Sequence, residues 1–306
     1  MIGVGYPTIK ELSNNVNELP LLPNVISEII ALDRKDDKFY EKLINFIKSE
    51  AMLTATILKI ANSVTYSMGS SISTIESAVT RIGTENIMQY VSAFGLKNTF
   101  KATKQSQKNL WIHGLRCALI SDMVAKCSIK MNVNKKKAYL IALIHDIGSF
   151  IMMEHIPYYL EKVESKSLHC EAKKCEIENG ILGYDHAEVG YMVCRHWGIS
   201  EQISELVKYH HSSDEVINRN GGLSRESENL LNILRFSDQC ANIFEANNNW
   251  HEWDIEYLAK VIDQQSHVRI WEWMGLPLMD IAKNLINLNP EIEQILSSMK
   301  LEDGDE

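Results

Sequence analysis

The sequence predicts an all-α protein, and three observations carry that expectation. Nearly every periodic segment repeats its apolar residues at helical spacing. Runs that alternate apolar and polar residues between turn pairs, which would announce hairpins, are absent. With 306 residues, 45% of them hydrophobic, the chain is long enough for one large helical body or two modest ones.

The elements follow in order. Residues 1 to 18 read as a polar lead-in. Leu19-Pro20-Leu21-Leu22-Pro23-Asn24 then gives an extended proline pair and a helix-starting asparagine, with a helix expected to about Leu32. Phe39 to Ile47 is an amphipathic helix, and Ala51 to Ala61 another, in which Met52, Ile57, Leu58 and Ile60 share one side. Ser73-Thr74-Ile75-Glu76 has capping-box spacing and opens a helix that Gly83 closes. Thr84 to Phe100 completes a bundle of about five short helices.

The polar stretch Lys101 to Lys108 reads as a seam. Beyond it, Trp111 to Ile129, Lys137 to Ile147, Ala187 to His196, Ser200 to His211 and Ser227 to Ala246 form a second helical lobe. Ser165 to Gly183 and Ser212 to Arg225 read as looser ground. Terminal helices from Trp250 to Leu296 carry Trp250, Trp253, Trp271 and Trp273 as packing anchors. The expected organisation is therefore an N-terminal bundle over 1–104, a second lobe over 105–246 and a helical extension over 247–306.

Charge and composition narrow the function classes. A formal charge of −9 opposes nucleic acid and anionic lipid as partners, since both reward a positive surface. Lys135-Lys136-Lys137 reads as a solvated helix start after Asn134. The longest apolar stretches, such as Leu140 to Ile144, fall far short of the roughly 20 residues that cross a bilayer. Met1 to Pro7 lacks the basic start and apolar core of a secretion signal, so a cytoplasmic location is expected. The six cysteines form no Cys-x-x-Cys pair and read as reduced thiols. Gly-x-Ser-x-Gly, Gly-x-Gly-x-x-Gly and phosphate-cradling glycine loops are all missing.

The histidines carry the chemistry. Of ten, five fall in an ordered series with acidic companions: His113, His145-Asp146, His186, His210-His211 and then Asp238. Imidazole nitrogen with carboxylate oxygen suits iron, manganese, nickel or zinc. His145-Asp146 follows the apolar run Tyr139 to Ile144 and precedes Gly148, read here as a helix stop. An aspartate in such a half-buried place needs a partner or a cation. The set is thus either a site for one or two divalent ions or a hydrogen-bonded cluster. His155, His169, His196, His251 and His267 lack such company and read as ordinary residues.

His113, His145-Asp146 and Asp238 resemble the H…HD…D pattern of the HD metal-phosphohydrolase superfamily, in which these positions bind a divalent metal. His186 and His210-His211 are similar to further histidines of the HD-GYP phosphodiesterases and of the HDOD family. Several phrases favour HDOD: Leu19 to Pro23, Leu53-Thr54-Ala55, Ile60-Ala61-Asn62-Ser63, Ile72 to Ile75, Arg81-Ile82-Gly83, His186 to Gly190 and Trp197-Gly198-Ile199. The resemblance covers roughly residues 15 to 245. It implies an N-terminal bundle packed on an HD-domain-like lobe, with metal ligands His113, His145, Asp146, His186, His210, His211 and Asp238.

What the resemblance implies about function divides in two. An HDOD protein is a bacterial regulatory output module that answers to a separate signalling partner. An active HD relative is instead a metal-dependent phosphohydrolase of a nucleotide or cyclic dinucleotide, with His145 and Asp146 as candidate catalytic residues and Asp146 as bridging ligand. Two departures count against catalysis. Ser149 stands where HD-GYP enzymes carry a phosphate-facing lysine, and Ser212-Ser213-Asp214-Glu215 stands in place of the GYP element.

Overall fold

A computed structural model describes residues 6–17, 39–63, 65–66, 69, 71–99, 105–128, 131, 133–156, 159, 163, 171–247 and 249–298. The described residues are mostly helical, joined by turns and short loops, and contain no strand. The proline phrase from Leu19, the helix expected to Leu32, His169 and Cys170 lie outside them. Among the described residues no helix is long and apolar enough to cross a membrane, and the five described cysteines are free thiols.

The helices are α1 (Ile9–Asn17), α2 (Phe39–Ser49), α3 (Ala51–Ala61), α4 (Ile75–Ile82), α5 (Thr84–Thr99), α6 (Gln105–Cys127), α7 (Lys135–Ile144) and α8 (Ile147–His155). They continue as α9 (Glu171–Leu182), α10 (His186–His196), α11 (Glu201–Tyr209), α12 (Asp214–Arg219), α13 (Arg225–Ala246), α14 (Ile255–Gln265), α15 (Ile270–Met274) and α16 (Leu278–Ser298).

Contacts divide the chain into a smaller unit, residues 20–112 with 288–306, and a larger one, residues 1–19 with 113–287. The division differs from the expected borders at 104 and 246. One border falls inside α6, which begins at Gln105 within the stretch read as a seam, and another falls inside α16. Polar composition suggested a linker at 105–108, but Gln105, Lys108 and Asn109 tolerate a helix whose apolar residues begin at Leu110.

In the smaller unit α2 packs on α3 and α4, and α5 on α3 and α4. Leu43, Ile47, Leu53, Ile57, Ile60 and Val79 fill its core, each removing most of a side chain from water at roughly 1.5–3 kcal/mol apiece. Leu58, expected on that side, is only half-buried, and Leu53 takes the inner position. The cap of α4 is displaced by one residue from the expected Ser73: Thr74 accepts from the Ser77 amide, while Glu76 reaches Lys48 instead of turning back on the chain. Gly83 ends α4 as expected, at φ 89°. Tyr66 and Tyr90 both donate to Glu291 at 2.8 Å, so the last stretch of chain is tied into this unit.

In the larger unit α10 packs on α1, α8, α9 and α11, and α13 packs on α7, α11 and α15. Asn134 caps α7 by accepting from the amides of Lys136 and Lys137, and Asp185 caps α10 by accepting from that of Glu188. Three expectations change here. The helix expected over Lys137 to Ile147 ends at Ile144 and restarts at Ile147, leaving His145 and Asp146 at the break. Gly148 is therefore not a stop but lies inside α8. A Cβ there would stand 2.0 Å from the His186 carbonyl oxygen and 2.5 Å from the Gly190 amide, so glycine is what lets α8 touch α10. Finally, the ground read as loose before Gly183 holds α9. Of the tryptophans, Trp250 and Trp271 are buried anchors, while Trp273 is 51% exposed.

Candidate metal centre

The seven residues singled out by the sequence converge inside the larger unit. His113 lies on α6, His145 and Asp146 at the α7–α8 break, His186 at the start of α10, His210 and His211 just past α11, and Asp238 midway along α13. Their ring centroids form a chain around Asp146: His113 to His145 5.3 Å, His145 to His210 5.2 Å, and His210 to His186 5.4 Å. His211 packs against His210 at 3.9 Å. Potential donor atoms of the seven gather in two groups, each within 4.8 Å: His113, His145 and Asp238 with Cys117 in one, Asp146, His186, His210 and His211 in the other; Cys175 and Glu178 form a third such group with His186.

One local device aims two of the rings. A helix leaves its last carbonyls without an intrahelical partner. The Nδ1 of His145 donates to the carbonyl of Ala142 at 2.7 Å, and that of His210 to the carbonyl of Val207 at 2.6 Å. Each bond holds the proton on Nδ1 and turns Nε2 inward as a lone pair, the form a metal ligand requires.

His186 sits at the other kind of helix end. Its free backbone amide and its Nδ1 both donate to Glu178 Oε2, at 2.9 and 2.7 Å, and Tyr159 donates its hydroxyl to the other oxygen of the same carboxylate. His113 donates from Nδ1 to Glu245 at 3.1 Å, and Arg116 secures that carboxylate at 3.0 Å.

Asp146 is the hinge of the electrostatics. One oxygen lies 3.1 Å from His186 Nε2 and 3.6 Å from His210 Nε2; the other lies 3.4 Å from His145 Nε2. Burial would raise its pKa, but His145, Lys174, His186 and His210 together hold it well below the usual carboxylate range. Burial pushes His145 down to about 4, so that ring is neutral near pH 7. His186 is the opposite case: burial disfavours its charge, yet Glu178, Cys175 and Asp146 outweigh that and hold it well above the ordinary histidine value.

The donors fit a cation. His145 Nε2, Asp146 Oδ1, His186 Nε2 and His210 Nε2 are buried and make no hydrogen bond, which is costly for polar atoms unless something positive stands between them. Sequence reasoning missed Cys117, Glu178 and Glu245. Cys117 follows His113 by four residues and Glu245 follows Asp238 by seven, both helical repeats that place them on the same faces. Glu178 had no such signal because α9 was not expected. Of the histidines read as ordinary, His155 and His196 are half-buried, His251 and His267 are exposed, and none joins a donor group among the described residues.

Residues 19–213 match the HDOD domain. The chain belongs to the HDOD family. An uncharacterized protein of Treponema pallidum (strain Nichols) is 20% identical to this HDOD protein over 201 residues, 66% of this chain. The chain spans 39% and 30% of the lengths of the curated relatives it matches. Two solved structures share the fold. A Geobacter sulfurreducens HDOD domain protein of unknown function is 19% identical with a TM-score of 0.68, covering 94% of this chain and 96% of that one. A Shewanella amazonensis SB2B protein, named as a candidate phosphohydrolase, is 19% identical with a TM-score of 0.67, covering 94% and 97%.

Proposed function

We propose that this HDOD protein is a regulatory output module of bacterial signal transduction, cytoplasmic, whose larger unit holds one or two divalent cations (iron, manganese, nickel or zinc) in a closed pocket. The observation that carries this reading is enclosure. His113, His145, Asp146, His186, His210 and Asp238 are each at most 7% exposed and, of the seven, His211 alone is half-buried, so a cation among them is largely wrapped by protein, whereas catalytic metal sites keep a position open to substrate.

When bound, the ion supplies fixed positive charge and polarises any group that reaches it. The chain's residues do the rest. Ala142 and Val207 fix the tautomers of His145 and His210, Glu178 fixes that of His186, and Asp146 turns one oxygen to each side. Because these donors come from the ends and faces of separate helices, occupancy stiffens the unit as a whole, a state that a signalling protein can read.

One observation favours a second reading, a metal-dependent phosphohydrolase acting on a nucleotide or cyclic dinucleotide: Asp146 faces both donor groups, as a carboxylate bridging two ions does. His145 and Asp146 are then the catalytic candidates. Against it stands Ser149, fully buried, with its hydroxyl making no hydrogen bond, at the position where a phosphate-facing cation is needed.

Elemental analysis of the purified protein, followed by a phosphodiesterase screen with added manganese or iron, separates the readings. Stoichiometric metal without turnover is the expected result. Turnover abolished by Asp146→Ala in a folded variant replaces the module by the enzyme, and protein that binds no divalent metal overturns both.

A further inference from the structure

A thiol stands among the histidines. Cys117 is fully buried, with its Sγ 3.5 Å from His113 Nε2 and 3.9 Å from the Ser237 carbonyl. The sulfur, His113 Nε2, a His145 ring nitrogen and an Asp238 oxygen all lie within 4.8 Å of one another. A tetrahedral ion with bonds of about 2.0–2.3 Å separates its ligands by roughly 3.3–3.8 Å, so closing this group on a cation takes only a small inward movement.

Resting on the cation-pocket reading above, we propose that Cys117 is a thiolate ligand, and that with His113, His145 and Asp238 it forms a sulfur-containing site that prefers zinc, cobalt or cadmium to manganese or magnesium.

Three arguments converge. The first is position: His113 and Cys117 are one turn apart on α6, so both donors reach the same spot from one rigid element. The second is orientation, since His145 presents a buried Nε2 without a hydrogen bond. The third is charge. Two neutral imidazoles, one thiolate and one carboxylate carry −2 and cancel a divalent ion, and a neutral assembly is what a low-dielectric place rewards. A serine or alanine at 117 leaves that assembly positive.

The step balances simply. A divalent ion displaces the thiol proton and the proton that His113 Nε2 holds against Asp238 3.1 Å away, sulfur–metal and nitrogen–metal bonds form as the S–H and N–H bonds break, both protons pass to water, and no electrons are exchanged. Without the ion, burial pushes the thiol up to about 12, so Cys117 waits as a thiol. The other buried thiols differ. Cys194 and Cys240 join no donor group among the described residues, and Cys175 faces a His186 nitrogen that Glu178 already occupies.

The test uses the full chain stripped with chelator and titrated with cobalt(II). A near-ultraviolet sulfur-to-cobalt charge-transfer band is expected, kept in Cys175→Ser and lost in Cys117→Ser while visible cobalt absorption persists. Zinc affinity should fall at least ~10-fold in Cys117→Ser, with manganese affinity changed far less, since thiolate favours the softer ion. Zinc X-ray absorption on the Cys175→Ser protein, expected to show one sulfur near 2.3 Å, gives the answer even if Cys117→Ser does not fold. Cobalt bound without the band, or zinc without sulfur, overturns the thiolate ligand and leaves the pocket standing. No binding of cobalt or zinc overturns both.

Discussion

Replacing Glu178 by alanine should cost the larger unit much of its stability, whereas replacing it by glutamine should cost less. The carboxylate is fully buried and accepts three hydrogen bonds, from the His186 amide, the His186 ring and the Tyr159 hydroxyl. Alanine orphans all three donors at about 1–3 kcal/mol each, or ~3–9 kcal/mol before relaxation. That is comparable with the whole stability of a typical domain, about 5–15 kcal/mol. Glutamine can accept both His186 bonds on its oxygen and donate its amide to the Tyr159 oxygen, so the charge and the acceptor of the Tyr159 hydroxyl proton are lost, about 2–4 kcal/mol.

The two variants also separate in pH. In metal-free protein Glu178 is lowered from 4.5: burial works against this, but His186 and Lys174 outweigh it. Its contribution is present above about 4.5 and lost as pH falls through the lowered value. His186 is raised above 6.5, so its contribution is full below that value and lost as pH rises through the raised one. Urea denaturation from acid to mildly alkaline pH should show both limbs in the parent and shallower limbs in Glu178→Gln. An alanine variant within ~1 kcal/mol of the parent, or unchanged limbs in the glutamine variant, refutes the assigned role of this carboxylate.

Other outcomes test the rest of the architecture. Gly148→Ala must push α8 from α10, because its Cβ meets backbone at 2.0 Å, and should lower stability by about 3 kcal/mol or more by thermal unfolding, with metal content falling in parallel. Asp146→Asn should reduce binding of every divalent ion by elemental analysis, since its two oxygens face both donor groups, while Asp238→Asn should spare the group around His186. Calorimetry in buffers of different ionisation enthalpy should find protons released on loading near pH 7, one of them from His186; the absence of release there contradicts the raised value assigned to that ring. Tyr90→Phe removes one of two hydroxyls from Glu291 and should cost roughly 1 kcal/mol without altering metal content.

How much of this was legible in the sequence depends on how local the cause was. The all-α class, α3, α10 and α13 follow from periodicity, because an amphipathic stripe is written in neighbouring residues. The seven candidate donors were legible because His and Asp inside apolar runs are conspicuous, and the structure brings all seven together. The break at His145-Asp146 was not legible. Tyr139 to Met153 is apolar almost without pause, and nothing local distinguishes one long helix from two short ones; Gly148 looked like a stop, but the backbone of α10 is what requires it. Glu178 was hidden for a related reason. The segment Glu171 to Leu182 has no clear stripe, and its helix is justified by what two of its side chains, Cys175 and Glu178, meet on α10 rather than by its own pattern.

The exchange of chain ends between the two units has a practical consequence for anyone cutting the gene. The apparent N-terminal cassette, residues 20–112, lacks Glu291 and Gln294, so expressing it alone leaves Tyr66 and Tyr90 facing a gap where a carboxylate should be. A fragment beginning at His113 similarly discards α1, which lies against α8 and α10, the helices that carry Gly148 and His186. Neither half is a portable module, and fusions are better made outside both ends than at the α6 border.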